Sequence, residues 1–128
     1  MFRFSRICCL LVSLFSFESF ANDEAIDVST LNEYLINGTP CFVLDVREKK
    51  ELEICCLNNI MHIPLNELLS GAVDGLPKDV LLIVMCRSGI RSQKAFDYLK
   101  NNGFDKAVNL KDGILAWIKE IDPTLTAY

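Results

Sequence analysis

One short segment concentrates groups able to do covalent chemistry: Met85-Cys86-Arg87-Ser88-Gly89-Ile90-Arg91-Ser92. It joins the six-residue apolar run Val80–Met85 to a stretch of helical period that begins at Arg91. A cysteine at such a junction faces the free N–H groups and the positive end of the helix dipole. Arg87 and Arg91 add cationic charge within five residues. These effects favour thiolate over thiol, so the Cys86 pKa is expected below the reference of about 8.5. The same cradle suits an anion or an anionic sulfur adduct. Gly89 permits a turn at positive φ. Ser88 and Ser92 can donate into the loop or cap the helix. A lone cysteine is commonly an inert packing residue. The glycine, the two arginines and the strand-loop-helix setting argue for a nucleophile instead.

Something must hold that loop, and the flanking pattern says what. Residues 22–27 are polar and read as a loose start, and Val28 opens a helix-period pattern with Leu31, Tyr34 and Leu35 on one face, Ser29 or Thr30 as cap and Gly38 as stop. Cys41-Phe42-Val43-Leu44, after Pro40, is a buried strand ending at Asp45. Glu48–Glu53 is a charged surface helix. Ile60–Ile63 is a second strand, and Leu65–Leu69 a helical turn before Gly71. Val80–Met85 is apolar throughout, as expected for a strand buried on both faces of a parallel sheet. Arg91–Asn101 is a helix with Ala95, Phe96 and Leu99 inward, stopped at Asn102-Gly103. Ala107–Leu110 is a strand. Gly113–Ile121 is the last helix, carrying Ile114, Leu115, Trp117 and Ile118. Strands and helices alternate. The expected class is therefore α/β, with a mostly parallel central sheet and helices on both faces. Ligands bind such sheets at the carboxyl ends of the strands. Asp45-Val46-Arg47 and Cys86 both fall there.

The remaining features bound the function. The chain has 128 residues and net charge −4, which argues against a general nucleic-acid binder. Residues 1–21 have the three parts of a secretory signal. They are a basic start at Arg3 and Arg6, an apolar run over 7–17, and the small residues Ser19 and Ala21 before a cleavage point. The run is shorter than the roughly 20 residues a spanning helix needs. The expectation is a cleaved signal, a single domain over 22–128 of net charge −5, export to the periplasm and no stable membrane anchor. Cys41, Cys55, Cys56 and Cys86 would then meet an oxidising compartment. Their pairing is open, although neighbours such as Cys55 and Cys56 bridge poorly. No heptad or wide unpaired apolar stripe argues against a monomer.

The motifs together resemble a known family. Cys86-Arg87-Ser88-Gly89-Ile90-Arg91-Ser92 is similar to the active-site loop of the rhodanese sulfurtransferases. Asp45-Val46-Arg47-Glu48 resembles the family's first motif and Met61-His62-Ile63-Pro64-Leu65 its second. Asn109-Leu110-Lys111-Asp112-Gly113-Ile114-Leu115-Ala116-Trp117 resembles its closing motif. The resemblance covers about residues 28–122 and is nearest to small single-domain secreted members. It implies that Cys86 is catalytic and takes sulfane sulfur from a donor such as thiosulfate as a persulfide. Cyanide or a thiol would then accept the sulfur, with no metal or organic cofactor. It also implies that Arg87, Ser88, Gly89, Ile90 and Arg91 bind the anionic donor, with Asp45, Arg47 and Ser92 beside the site.

Two other functions compete. A sulfur-carrier or protein-binding module would use the same domain with little turnover. A Cys-based phosphatase or arsenate reductase would place an arginine six residues after the cysteine, where this chain has Ser92. His62, the only histidine, is read as a packing residue with one hydrogen bond. Three departures from the family pattern stand out. Cys56 replaces a usual histidine. Asn59 replaces a turn glycine and can take positive φ. Asp112 stands where a second glycine is common.

Overall fold

The computed structural model describes residues 24–128, so the signal sequence expected over 1–21 lies outside the described residues. Among the described residues, five strands and five helices alternate. They are β1 (Ala25–Ile26), α1 (Val28–Asn37), β2 (Cys41–Asp45), α2 (Lys49–Ile54), β3 (Ile60–His62), α3 (Leu65–Leu69), β4 (Leu81–Met85), α4 (Ile90–Asn101), β5 (Ala107–Leu110) and α5 (Gly113–Glu120). All strand pairs are parallel, in the order β1-β5-β4-β2-β3. This is the α/β architecture expected from the alternation.

Side chains of β4 alternate between two cores, as the pleat of a strand requires. Ile83 and Met85 enter a cluster with Leu31 of α1 and Ile114, Trp117 and Ile118 of α5. Leu82, Val84 and Cys86 enter the other, with Ala95, Phe96 and Leu99 of α4 and Leu68 of α3. Both faces of the strand are covered, which is why its sequence is apolar without alternation. The register places Asp45 opposite both Met85 and His62. The carboxyl ends of β4, β2 and the edge strand β3 therefore meet where the chemistry was expected.

The structure corrects four local expectations. Residues 25–26, within a segment read as a loose polar start, pair with Asn109 and Leu110 as an edge strand. The cap of α1 is Asp27, which accepts from the Thr30 amide at 2.8 Å, not Ser29 or Thr30. Leu35 lies at the rim of the α1 stripe and is half exposed, because α5 covers only the Leu31 side. The charged segment α2 is not wholly a surface helix: Glu51 is buried. Gly38 stops α1 in the left-handed conformation, as expected.

Candidate active site

The site is built from three loops that follow β2, β4 and β5. Cys86 leaves β4 fully buried, and its Sγ accepts hydrogen bonds from the Gly89 amide at 3.1 Å and the Ser92 hydroxyl at 3.3 Å. The orientation of those amides has a backbone cause. The Cys86 carbonyl accepts from the Ile114 amide at 2.9 Å, and the Arg87 carbonyl from the Leu115 amide at 3.1 Å. A trans peptide points its N–H opposite its C=O. Fixing the carbonyls on the first turn of α5 therefore turns the loop amides away from α5, towards the sulfur. The Gly89 carbonyl is held in turn by the Asn109 side-chain amide at 3.2 Å. Gly89 itself has φ +97°, as the sequence suggested.

This environment lowers the Cys86 pKa below that of an ordinary thiol. Burial pushes it up, but the hydroxyl and amide of Ser92 and the amides of Gly89 and Ser88 more than offset that. The direction matches expectation, and the expected N–H groups of the loop and helix start are among the donors, joined by the Ser92 hydroxyl. Both arginines also have partners of their own. Arg91 makes a two-pronged ion pair with Glu51, Nη1 to Oε2 at 2.7 Å and Nη2 to Oε1 at 2.8 Å. Arg87 donates Nε and Nη2 to the main-chain oxygen of Tyr128. Ser88 and Ile90 are exposed at the rim, Ile90 to 70%.

The expected neighbours of the loop are also present. Arg47 and Asp45 are both fully buried and paired, Nη2 to Oδ2 at 2.7 Å, with Nε on both carboxylate oxygens. A buried ion pair is sustainable only when its remaining donors are satisfied. Here Nη2 also reaches the Cys55 carbonyl at 2.9 Å, and Nη1 reaches the Tyr128 hydroxyl at 2.9 Å. Burial works against the Arg47 charge, but Asp45 and Tyr128 raise its pKa further above the ordinary value. The pair is a structural clamp between β2 and the segment after α2, rather than a surface ion pair. His62 Nε2 donates to the Arg47 carbonyl at 2.7 Å, the single hydrogen bond expected of it.

Glu51, Gly113 and Tyr128 belong to the site and were not among the residues singled out from sequence. Glu51 accepts from Arg91, from the Glu48 amide at 2.8 Å and from the Tyr128 hydroxyl at 2.8 Å. Its three-residue spacing from Glu48 is the capping-box spacing, which could have flagged it. Gly113 has φ +58°, and a Cβ there would lie 2.5 Å from both the Cys86 and Arg87 carbonyl oxygens. Only glycine permits this approach of α5 to the loop. Tyr128 had no local signal, since its partners are 41 to 81 residues away. Asn59 and Asp112 take φ +56° and +62°, so both departures from a family glycine keep the left-handed backbone. Cys41, Cys55, Cys56 and Cys86 are all free thiols.

Comparison with known proteins agrees with this geometry. Residues 24–120 match the family model described as a rhodanese-like domain. A sulfurtransferase of Allochromatium vinosum is 30% identical over 94 residues, covering 73% of this chain and 87% of the relative. The adenylyltransferase and sulfurtransferase uba4 of Ogataea parapolymorpha is 36% identical over 106 residues, covering 83% of this chain but 26% of the relative. The chain spans only about a quarter of the length of the two-activity relatives of that kind. Among solved structures, a rhodanese-related protein from Thermoplasma volcanium superposes with a TM-score of 0.69 at 33% identity. It covers 77% of this chain and 93% of that one. On the family match over 24–120, with the buried Cys86 following β4, this chain belongs to the rhodanese-like domain family.

Proposed function

We propose that the protein transfers sulfane sulfur through a persulfide on Cys86. The observation that carries this reading is the sulfur's own environment: a buried Sγ that accepts from the Gly89 amide and the Ser92 hydroxyl, with its pKa lowered. The Cys86 thiolate attacks the outer sulfur of thiosulfate. The S–S bond of the donor breaks, and sulfite leaves with the electron pair. The persulfide anion left on Cys86 is stabilised by the same loop amides, as preorganised dipoles stabilise a developing charge. A thiol, or cyanide in an assay, then attacks the terminal sulfur, and the Cys86 thiolate is regenerated. This is two-step nucleophilic catalysis. Arg87 is the residue we assign to the donor's sulfonate group. Arg91, bound to Glu51, braces the loop instead. The phosphatase reading is disfavoured because Ser92 occupies the position of the phosphate-clamping arginine and spends its hydroxyl on Sγ.

A second reading has an observation of its own. Cys86 is fully buried and Arg87 is already engaged, which suits a carrier that releases its sulfur to one protein partner more readily than to small nucleophiles. Intact mass before and after thiosulfate tests the first step. Wild type should gain one sulfur, about 32 Da, and Cys86→Ser should gain none. Transfer of that sulfur to cyanide at a rate matching turnover supports the enzyme. A stable adduct that cyanide removes slowly supports the carrier. Absence of any adduct on a free Cys86 refutes both.

A further inference from the structure

The segment after α5 turns back across the site. The amides of Ile121 and Asp122 both reach the Trp117 carbonyl, and the Asp122 carboxylate accepts from the amide and hydroxyl of Thr124. This turn redirects the chain, and Leu125 and Tyr128 then pack on the apolar cluster formed by α1, α5 and the sheet. Tyr128 reaches the site residues with three groups at once. Its hydroxyl accepts from Arg47 Nη1 and donates to Glu51 Oε1, at 2.9 and 2.8 Å. Its ring lies 5.0 Å from the Arg87 guanidinium carbon, within cation–π range. Its main-chain oxygen accepts from both Nε and Nη2 of Arg87.

That last contact has the form of ligand binding. Two guanidinium N–H groups share one main-chain oxygen here, whereas an anion with two oxygens would give each N–H its own acceptor. Arg87 is the loop's one arginine not neutralised by a carboxylate, since Arg91 is committed to Glu51. We propose that Tyr128 is a self-ligand of the site and a determinant of its specificity: its main-chain oxygen competes with anionic ligands for Arg87, and its hydroxyl latches it there. The proposal rests on the reading of Arg87 as the anion-binding residue. The hydroxyl matters because it ties the segment to two groups that hold the loop, Arg47 through β2 and Glu51 through Arg91. An incoming anion must break the Arg87 contact and swing the Tyr128 segment aside, whereas the turn at Asp122 can stay in place. Anions that can offer Arg87 two oxygens displace Tyr128 best. Neutral reagents gain nothing at Arg87 from its departure.

Alkylation of Cys86 tests this without any sulfur transfer. The full chain is treated with anionic iodoacetate or neutral iodoacetamide, and modification at Cys86 is followed by peptide mass spectrometry. Tyr128→Ala removes the ring stack and both hydroxyl bonds. Its iodoacetate rate should rise about tenfold, the equivalent of one such set of hydrogen bonds, relative to its iodoacetamide rate. Tyr128→Phe keeps the ring and loses only the latch, so it should show a smaller rise of the same ratio. It also supplies the answer if Tyr128→Ala folds poorly by circular dichroism. An unchanged ratio of the two rates in both variants overturns the proposal, whether the separate rates rise together or not at all. The two readings fail separately. A shifted alkylation ratio with no thiosulfate adduct on wild type would refute sulfur transfer and leave the self-ligand. An adduct with an unchanged ratio would do the reverse.

Discussion

Removing the Ser92 hydroxyl isolates one contribution to the reactivity of Cys86. Ser92 is fully buried on the first turns of α4, and its hydroxyl donates to Cys86 Sγ at 3.3 Å. Ser92→Ala deletes that donor and leaves the Gly89 amide in place. A hydrogen bond to a charged acceptor contributes about 1.5 kcal/mol or more, and about 1.4 kcal/mol corresponds to one pKa unit. The Cys86 pKa should therefore rise by about one unit, back towards the ordinary thiol value. Below both pKa values the thiolate fraction falls about tenfold. A thiolate of higher pKa is also the better nucleophile, by about threefold per unit at a Brønsted slope near 0.45. The net expectation is a variant that reacts about threefold slower than wild type at low pH and about threefold faster on the high-pH plateau. The assay is the pH–rate profile for carbamidomethylation of Cys86 by iodoacetamide, read at the Cys86 peptide. Crossing profiles support the account. An unmoved midpoint would refute the assignment of Ser92 as a donor to the thiolate, because no other change of comparable size is made at the sulfur.

Three other perturbations probe the scaffold of the site. Glu51 has its pKa lowered from 4.5 to about 2, chiefly by its hydrogen bonds from Arg91, against the cost of burial. A depressed carboxylate contributes stability that is complete above its unfolded value and is lost as pH falls through its folded one. The Glu51–Arg91 contribution, about 2 kcal/mol after allowing for the partly exposed arginine, should thus disappear between about pH 5 and pH 2. Urea midpoints across that range should fall in wild type and fall less in Glu51→Gln, and parallel slopes would count against the assignment. Gly113→Ala places a methyl 2.5 Å from two loop carbonyls at φ +58°. It should cost about 3 kcal/mol and raise the Cys86 pKa as the loop is pushed off α5. Thermal unfolding and the alkylation profile check both effects, and a neutral outcome would mean that α5 does not set the loop. Arg47→Met leaves the buried Asp45 carboxylate without its partner and should destabilise the fold by about 3–5 kcal/mol. Denaturant titration would show a loss under about 1 kcal/mol if the pair were merely a surface contact.

The stretches whose burial is decided by one sheet were legible in advance. Val80–Met85 reads as a doubly covered strand because its neighbours cover both faces. The Cys86 loop stands out because its nucleophile, turn glycine and cations are contiguous. Asn59 stands where the family has a turn glycine and tolerates positive φ, and its φ of +56° agrees. Ala25–Ile26 could not be recognised as a strand, because two residues have no period and their pairing with β5 is 84 positions distant. Leu35 fell on the wrong side of its stripe because helical period gives a face but not the width of the partner that covers it.

The alternation of strands and helices, the junction that carries Cys86 and the direction of its pKa shift can all be read locally. These depend on neighbours within a turn or two, where chain geometry leaves few options. Which groups surround the thiolate, and what the arginines do, depends on contacts between distant segments. From spacing alone Arg87 and Arg91 are two free cations beside a sulfur. In the folded chain Arg91 is neutralised by Glu51, 40 residues away, and Arg87 is hydrogen-bonded to the Tyr128 main-chain oxygen, 41 residues away. A charge acts on its surroundings according to what else is within a few ångströms. That inventory is set by packing between distant segments, and local sequence does not contain it.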